Sequence, residues 1–250
     1  MPKRVANPPN PWSSTEIEWI GEPPPAKLEV FEEKAKTILS QNDSADLPFR
    51  WSLNPYRGCA HACAYCYARR SHPYWGFGAG TDFDRKIIVK RNAPELLRQR
   101  LGSRSWKREA VVMSGNTDCY QPLEASYTLT RRCLQAFLAH RSPVRIITKS
   151  SLIRRDLDLL TQLAERELVM VHLSIPSLSN ETGRLLEPHT PKPTSRFETM
   201  RQLHEARHPG RDLDLAGHPR AQRSRGRRAA RTLQGERRSL GLVHAAAAAG

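Results

Sequence analysis

Three of the five cysteines in this 250-residue chain fall within one short stretch, Cys59-Ala60-His61-Ala62-Cys63-Ala64-Tyr65-Cys66. A four-then-three spacing lets a single loop of backbone aim three sulfurs at a common point. Thiolates select zinc, copper(I) or iron–sulfur clusters, so residue type alone leaves several metals open. The ligand count separates them. A structural zinc takes four closed ligands, and His61 or His72 would have to supply the fourth. A cubane held by three cysteines keeps one iron free for a reactant, and an open iron implies chemistry. Cys119 and Cys133 stand apart from the triplet and read as free thiols, buried or lining a pocket.

The apolar pattern supplies elements that could position such a loop. Residues 51–56 form a candidate first strand that delivers the chain to the cysteines. Lys86-Ile87-Ile88-Val89-Lys90 is a β-branched run, and a helix follows from Asn92, its expected cap, to about Leu101, with Gly102 as a stop. Three strand-then-helix units come next: strand 110–113 with helix 128–140, strand 144–148 with helix 152–165, and strand 168–175 with helix 196–206. Apolar strands alternating with amphipathic helices predict a parallel sheet covered by helices, hence an α/β fold. Each strand runs into polar residues: Cys59 after the first, Ser114-Gly115-Asn116-Thr117-Asp118 after the second, Lys149-Ser150 after the third and Ser174 at the end of the fourth. In parallel α/β barrels sites gather at the carboxyl ends of the strands, so these four clusters should share one rim.

With these elements goes a resemblance. Cys59-x-x-x-Cys63-x-Tyr65-Cys66 resembles the cluster-binding signature of the radical S-adenosylmethionine (radical SAM) enzymes. The longer string from Ser52-Leu53-Asn54-Pro55-Tyr56-Arg57-Gly58-Cys59 to Cys66-Tyr67-Ala68-Arg69 is similar to the branch related to spore photoproduct lyase, described as DNA repair photolyase-like. The likeness extends from about residue 36 to about 206. It implies a partial (β/α) TIM-like barrel, a [4Fe–4S] cluster on Cys59, Cys63 and Cys66, and S-adenosylmethionine bound at the open iron. It also implies reductive cleavage of that cofactor to a 5′-deoxyadenosyl radical, hydrogen abstraction from a substrate in a lyase-like reaction, and an electron donor such as flavodoxin or ferredoxin. Position by position, Tyr65 matches an aromatic against the adenine, Ser114, Thr117 and Asp118 a loop that reaches the cofactor, and Lys149 a lysine that meets its carboxylate. Ser174 is a weaker match to the same pocket. Relatives commonly carry Pro where this chain has Cys119.

Charge and composition bound the alternatives. The formal net charge is +15, which suits a polyanion partner such as nucleic acid. Ten Arg against Asp212, Asp214 and Glu236 lie in residues 207–250, which leaves +8 on the first 206 residues. A zinc-stabilised basic nucleic-acid-binding protein is therefore the reading from another class, and an inactive, truncated radical SAM fragment is a third. No run of eighteen apolar residues and no signal-like amino terminus is visible, and clustered cysteines suit a reducing compartment. The expectation is a cytoplasmic protein with no membrane partner.

The expected organisation has three parts. Residues 1–50 read as an irregular, Pro-rich extension with a short helix near 32–38 and with Trp12, Trp19 and Phe31 placed for packing or for a partner. Residues 51–206 form the core. Residues 207–250 are an Arg/Ala-rich tail, disordered or read out of frame, so that the barrel is incomplete at its carboxyl end.

Overall fold

The structure is a computed structural model that describes residues 27–44, 46–47 and 49–206. Trp12, Trp19 and the Arg/Ala-rich stretch 207–250 lie outside the described residues.

In chain order the elements are strands β1 (Glu29–Glu33), β2 (Leu39–Gln41), β3 (Trp51–Leu53) and β4 (Tyr56–Arg57), a 3₁₀ helix over Tyr67–Trp75, and helix α1 (Thr81–Arg85). Strand β5 (Lys86–Lys90), helix α2 (Ala93–Gly102), strand β6 (Val111–Met113) and helices α3 (Glu124–Tyr127) and α4 (Leu129–Ala139) follow. The last part holds β7 (Val144–Thr148), a 3₁₀ turn over Ser151–Asp156, α5 (Leu157–Ala164), β8 (Val169–Leu173), α6 (Asn180–Leu186) and α7 (Pro193–Glu205).

The larger sheet has the order β2-β3-β6-β7-β8. Strand β2 is antiparallel to β3, while β3, β6, β7 and β8 run parallel in chain order. Parallel strands added one after another in a single direction give the winding of a (β/α) barrel, whereas doubly wound sheets reverse their strand order at a switch point. The expected α/β class is the observed one, with a parallel sheet and no barrel closure among the described residues. Register places Leu53, Met113, Ile146 and Val171 in one row across the four strands, and all four are at most 1% exposed. Helices α2, α4 and α5 cover that row with Leu97, Leu134, Phe137, Leu160 and Leu163. The opposite face is less covered at its far end, where Met170 and His172 are half-buried and Ile147 is 36% exposed.

Three local expectations are corrected. Residues 51–56 are two strands: β3 joins the large sheet, while β4 pairs with β5 in a second sheet of order β1-β5-β4. The break falls at Asn54-Pro55, because proline has no N–H for a ladder and the Asn54 side chain is engaged elsewhere. The stretch 32–38 is not a helix, and residues 27–44 are not irregular throughout. Strand β1 runs parallel to β5 with Phe31 opposite Ile88, a tertiary pairing that outweighs the weak helical pattern of Glu-Glu-Lys-Ala-Lys. Asn92 sits before α2 but does not cap it. Its amide accepts from the Ala35 N–H at 2.9 Å and donates to the Ala35 carbonyl at 2.9 Å, which ties the end of β1 to the core.

Candidate metal centre

The cysteine loop leaves β4 through Gly58, whose φ of +75° is in the left-handed region. A Cβ there would come within 2.9 Å of the Ile87 side chain and the Phe83 carbonyl, so only glycine fits. Ala62 also has a positive φ, 55°, and the chain turns back on itself through Ala62 N–H to Cys59 carbonyl and Cys66 N–H to Cys63 carbonyl bonds of 3.2 and 3.3 Å. Outside partners fix this turn. Cys59 N–H donates to the Phe83 carbonyl at 2.9 Å and Ala64 N–H to the Leu186 carbonyl at 2.8 Å, while Arg69 donates to the Cys63 carbonyl at 3.1 Å. Cys59 is buried; Cys63 and Cys66 are half-buried.

Electrostatics tie the three thiols to one another. Burial pushes the Cys63 thiol up to about 12; Lys149 partly opposes this, and Glu187, Cys59 and Cys66 act in the same direction as burial. Burial likewise raises Cys66, against the Ala68 backbone N–H. Protonated thiols flanked by a lysine are a soft donor set whose anionic form needs a compensating cation. Among the described residues no three His, Cys, Asp or Glu side chains converge as a single-ion site. Neither histidine considered as a fourth ligand is idle. His72 faces the Lys86 carbonyl through Nε2 at 3.0 Å, and His61, 2% exposed, sets Nδ1 3.3 Å from Asp118.

The rim expected from the strand ends is present. The Asn54 side-chain oxygen, after β3, accepts from the N–H groups of Asn116 at 3.0 Å and Thr117 at 3.3 Å, after β6. Asp118 then accepts from Thr148 Oγ1 at 2.7 Å and Lys149 N–H at 2.8 Å, at the end of β7, and Ser174 N–H donates to the Thr148 carbonyl at 2.9 Å. Burial alone would raise the Asp118 pKa, but His61 and the two donors at the end of β7 outweigh it and hold it at about 2.

The candidate cofactor residues fall into two groups. Tyr65, Lys149 and Ser174 gather around Glu187. Tyr65 donates its hydroxyl to Glu187, Lys149 Nζ lies 3.9 Å from Glu187 and 5.8 Å from the Tyr65 ring centroid, and the Ser174 carbonyl accepts from Arg196 at 2.8 Å. Arg196 and Glu187 are themselves paired, each about 1% exposed. Ser114, Thr117 and Asp118 spend their polar atoms inside the protein. Ser114 Oγ accepts from Cys119 N–H at 2.8 Å, Thr117 Oγ1 donates to the Tyr56 carbonyl at 2.8 Å, and Asp118 stitches the loops as above. Cys119 and Cys133 are fully buried in the main core. Sequence reasoning did not single out Glu187, Arg196 or Asn54. The Leu-Glu-Pro-His-Thr-Pro stretch around Glu187 carried no spacing that pointed to them.

A family model described as the radical SAM superfamily matches residues 53–215, a span that contains the cysteine loop and three of the four parallel strands in full. The chain belongs to the radical SAM superfamily. Among curated proteins, an uncharacterised protein of Mycobacterium tuberculosis is 42% identical over 164 residues, 66% of this chain and 48% of that one. One of Methanocaldococcus jannaschii is 29% identical over 180 residues, covering 72% and 64% respectively. This radical SAM chain thus spans about half the length of the mycobacterial relative. Among solved structures, spore photoproduct lyase complexed with dinucleoside spore photoproduct superposes with a TM-score of 0.53 at 16% identity, over 71% of this chain and 48% of that one. A cysteine-to-serine mutant of spore photoproduct lyase gives a TM-score of 0.53 at 17% identity, over the same shares of the two chains. At such identity the likeness concerns the fold.

Proposed function

We propose that Cys59, Cys63 and Cys66 hold a [4Fe–4S] cluster and that the chain binds S-adenosylmethionine beside it for reductive cleavage. What the cluster supplies when bound is one electron for breaking the sulfur–C5′ bond, which yields a radical able to take a hydrogen atom from substrate. The observation that carries this reading is the triplet itself. Three thiols stand on one tight loop that is hydrogen-bonded to Phe83 of α1, to Leu186 of α6 and to Gln121 in the turn after β6, in a chain of the radical SAM superfamily.

The chain's own residues have the remaining tasks. Lys149 is suited to the cofactor carboxylate, since a flexible ammonium is a compact point charge, and Glu187 keeps that ammonium oriented in the protein. Tyr65 offers a ring whose hydroxyl is tied down, so the ring plane is fixed before any adenine reaches it. Ser174 stands at the same edge, its backbone held by Arg196. Asp118, with Ser114 and Thr117, keeps the loops after β6 and β7 in register with the cysteine loop. A flavodoxin- or ferredoxin-type protein would supply the electron, and residues 51–206 make up the core that does this work. A nucleic-acid substrate, in a reaction resembling photoproduct lysis, is the finer reading. It draws on the fold likeness to spore photoproduct lyase and on the basic charge of the chain, and is an analogy of fold.

The test is anaerobic reconstitution followed by dithionite and S-adenosylmethionine. Wild type should carry close to four irons with a broad brown absorption and release 5′-deoxyadenosine, and Cys63→Ala should do neither. A colourless protein holding one zinc would end this reading.

A further inference from the structure

Gln121 is buried, with 0% exposure, and its side-chain amide lies against the backbone on both sides of Cys59. Its Oε1 accepts from the Ala60 N–H at 3.0 Å, and its Nε2 donates to the Gly58 carbonyl at 3.2 Å. This is the reciprocal pattern by which one strand residue grips another, made here by a side chain. With Cys59 N–H on the Phe83 carbonyl and Cys59 carbonyl on Ala62 N–H, every backbone polar group from the Gly58 carbonyl to the Ala60 N–H has a protein partner. Only an amide can make both contacts, because a carboxylate has no donor for Gly58 and an amine no acceptor for Ala60.

We propose that Gln121 is the positioning residue of Cys59: its amide sets the direction of the Cys59 sulfur and couples the cysteine loop to the loop after β6. The proposal rests on Cys59 being a cluster ligand, as read above. A three-cysteine site has no spare ligand to absorb an error in the first, and Cys59 is the most enclosed of the three. The Gln121 side chain reaches it from the turn that also carries Asp118, where Gln121 N–H donates to the Asp118 carbonyl at 3.2 Å. A shift of the strand-end loop is therefore passed directly to the Cys59 backbone.

The sharp variant is Gln121→Glu, which keeps size and the acceptor but replaces the donor by a charge facing the Gly58 carbonyl; Gln121→Ala removes both contacts. The expected result is cluster iron held about 10–100-fold less tightly than in wild type in competition with a chelator, the usual cost of removing a group that orients a ligand, with an altered spectrum of the reduced cluster. Thr130→Val serves as the control for stability alone, since Thr130 Oγ1 bonds the Cys119 carbonyl in the same core at 2.6 Å and does not touch the cysteine loop. It should lower thermal stability without changing iron retention. In the metal-free chain, alkylation of Cys59 should speed up in both Gln121 variants while Cys133 stays protected. If wild type takes up no cluster, the ligand reading fails, and the alkylation rates still decide whether Gln121 holds Cys59. Iron retention and Cys59 alkylation both equal to wild type in Gln121→Glu would overturn the proposal.

Discussion

Lys90 shows how a single side chain can register the construction of this site. It ends β5 with 5% exposure and donates Nζ to the Asn54 carbonyl at 2.8 Å, behind the residue whose side chain gathers the loop after β6. Burial, reinforced by Arg57 and opposed by Glu33, pulls its pKa from 10.5 down to about 8. Between those values the unfolded chain holds the extra proton, so this residue makes stability rise with pH from about 8 to 10.5. Below that window its charge destabilises the fold by about 3 kcal/mol. Lys90→Met should remove this contribution. In urea melts, the stability of the variant relative to wild type should fall by about that amount between pH 7 and pH 10.5. A difference that does not vary with pH would show that the amine is solvated.

At the scale of elements, a buried carboxylate joins parts that periodicity treats separately. Glu124 of α3, 0% exposed, accepts from Thr130 N–H at 3.0 Å and Arg131 N–H at 3.4 Å in the first turn of α4. It also takes the Tyr56 hydroxyl from β4 and Arg155 Nη2 from the turn after β7 at 2.6 Å. The favourable field of a helix amino terminus and two charge-assisted bonds make it both a cap and a clamp. Glu124→Ala should leave the Arg155 and Tyr56 polar groups without this acceptor and cost about 3–5 kcal/mol, the range for breaking a buried pair. Equilibrium unfolding should show this as a lower midpoint with an unchanged slope. A loss below about 1 kcal/mol would assign the hub to specificity instead of stability. The helix periods were visible in the sequence, whereas the clamp was not, because its partners lie 68 and 31 residues away and no local pattern marks such a pairing.

For the whole molecule, the parallel strands are wound as in a barrel, and helices cover the row from Leu53 to Val171. The opposite face carries Ile147 and His172 less completely enclosed. The cysteine loop is joined to Phe83 of α1, to the turns after β6 and β7, and to Leu186 at the end of α6. A group bound by the three cysteines should therefore stabilise the entire core by mass action, since the unfolded chain cannot present three thiolates at one place. With free ligand at a hundred times its Kd the gain is about 2.7 kcal/mol. Anaerobic calorimetry should show the reconstituted protein melting above the metal-free chain, with the difference absent in Cys59→Ala. Equal melting temperatures for loaded and empty wild type would mean that the loop folds independently of the sheet. No helix among the described residues is long and apolar enough to cross a membrane.

The sequence by itself determined the sulfur triplet, the run of parallel strands and the polar residues at their ends, because ligand spacing and the periods of strands and helices are local properties. Tertiary structure decided what depends on residues far apart in the chain. It split 51–56 between two sheets at a proline, made 29–33 a strand through its pairing with β5, and moved Asn92 from helix cap to strand tie. It also turned Asp118 and Thr117 toward the protein interior, brought Glu187 and Gln121 to the cysteine loop, and set Arg196 against Glu187. A buried polar group must find a partner wherever the fold provides one, and which partner that is depends on where the sheet brings distant loops together.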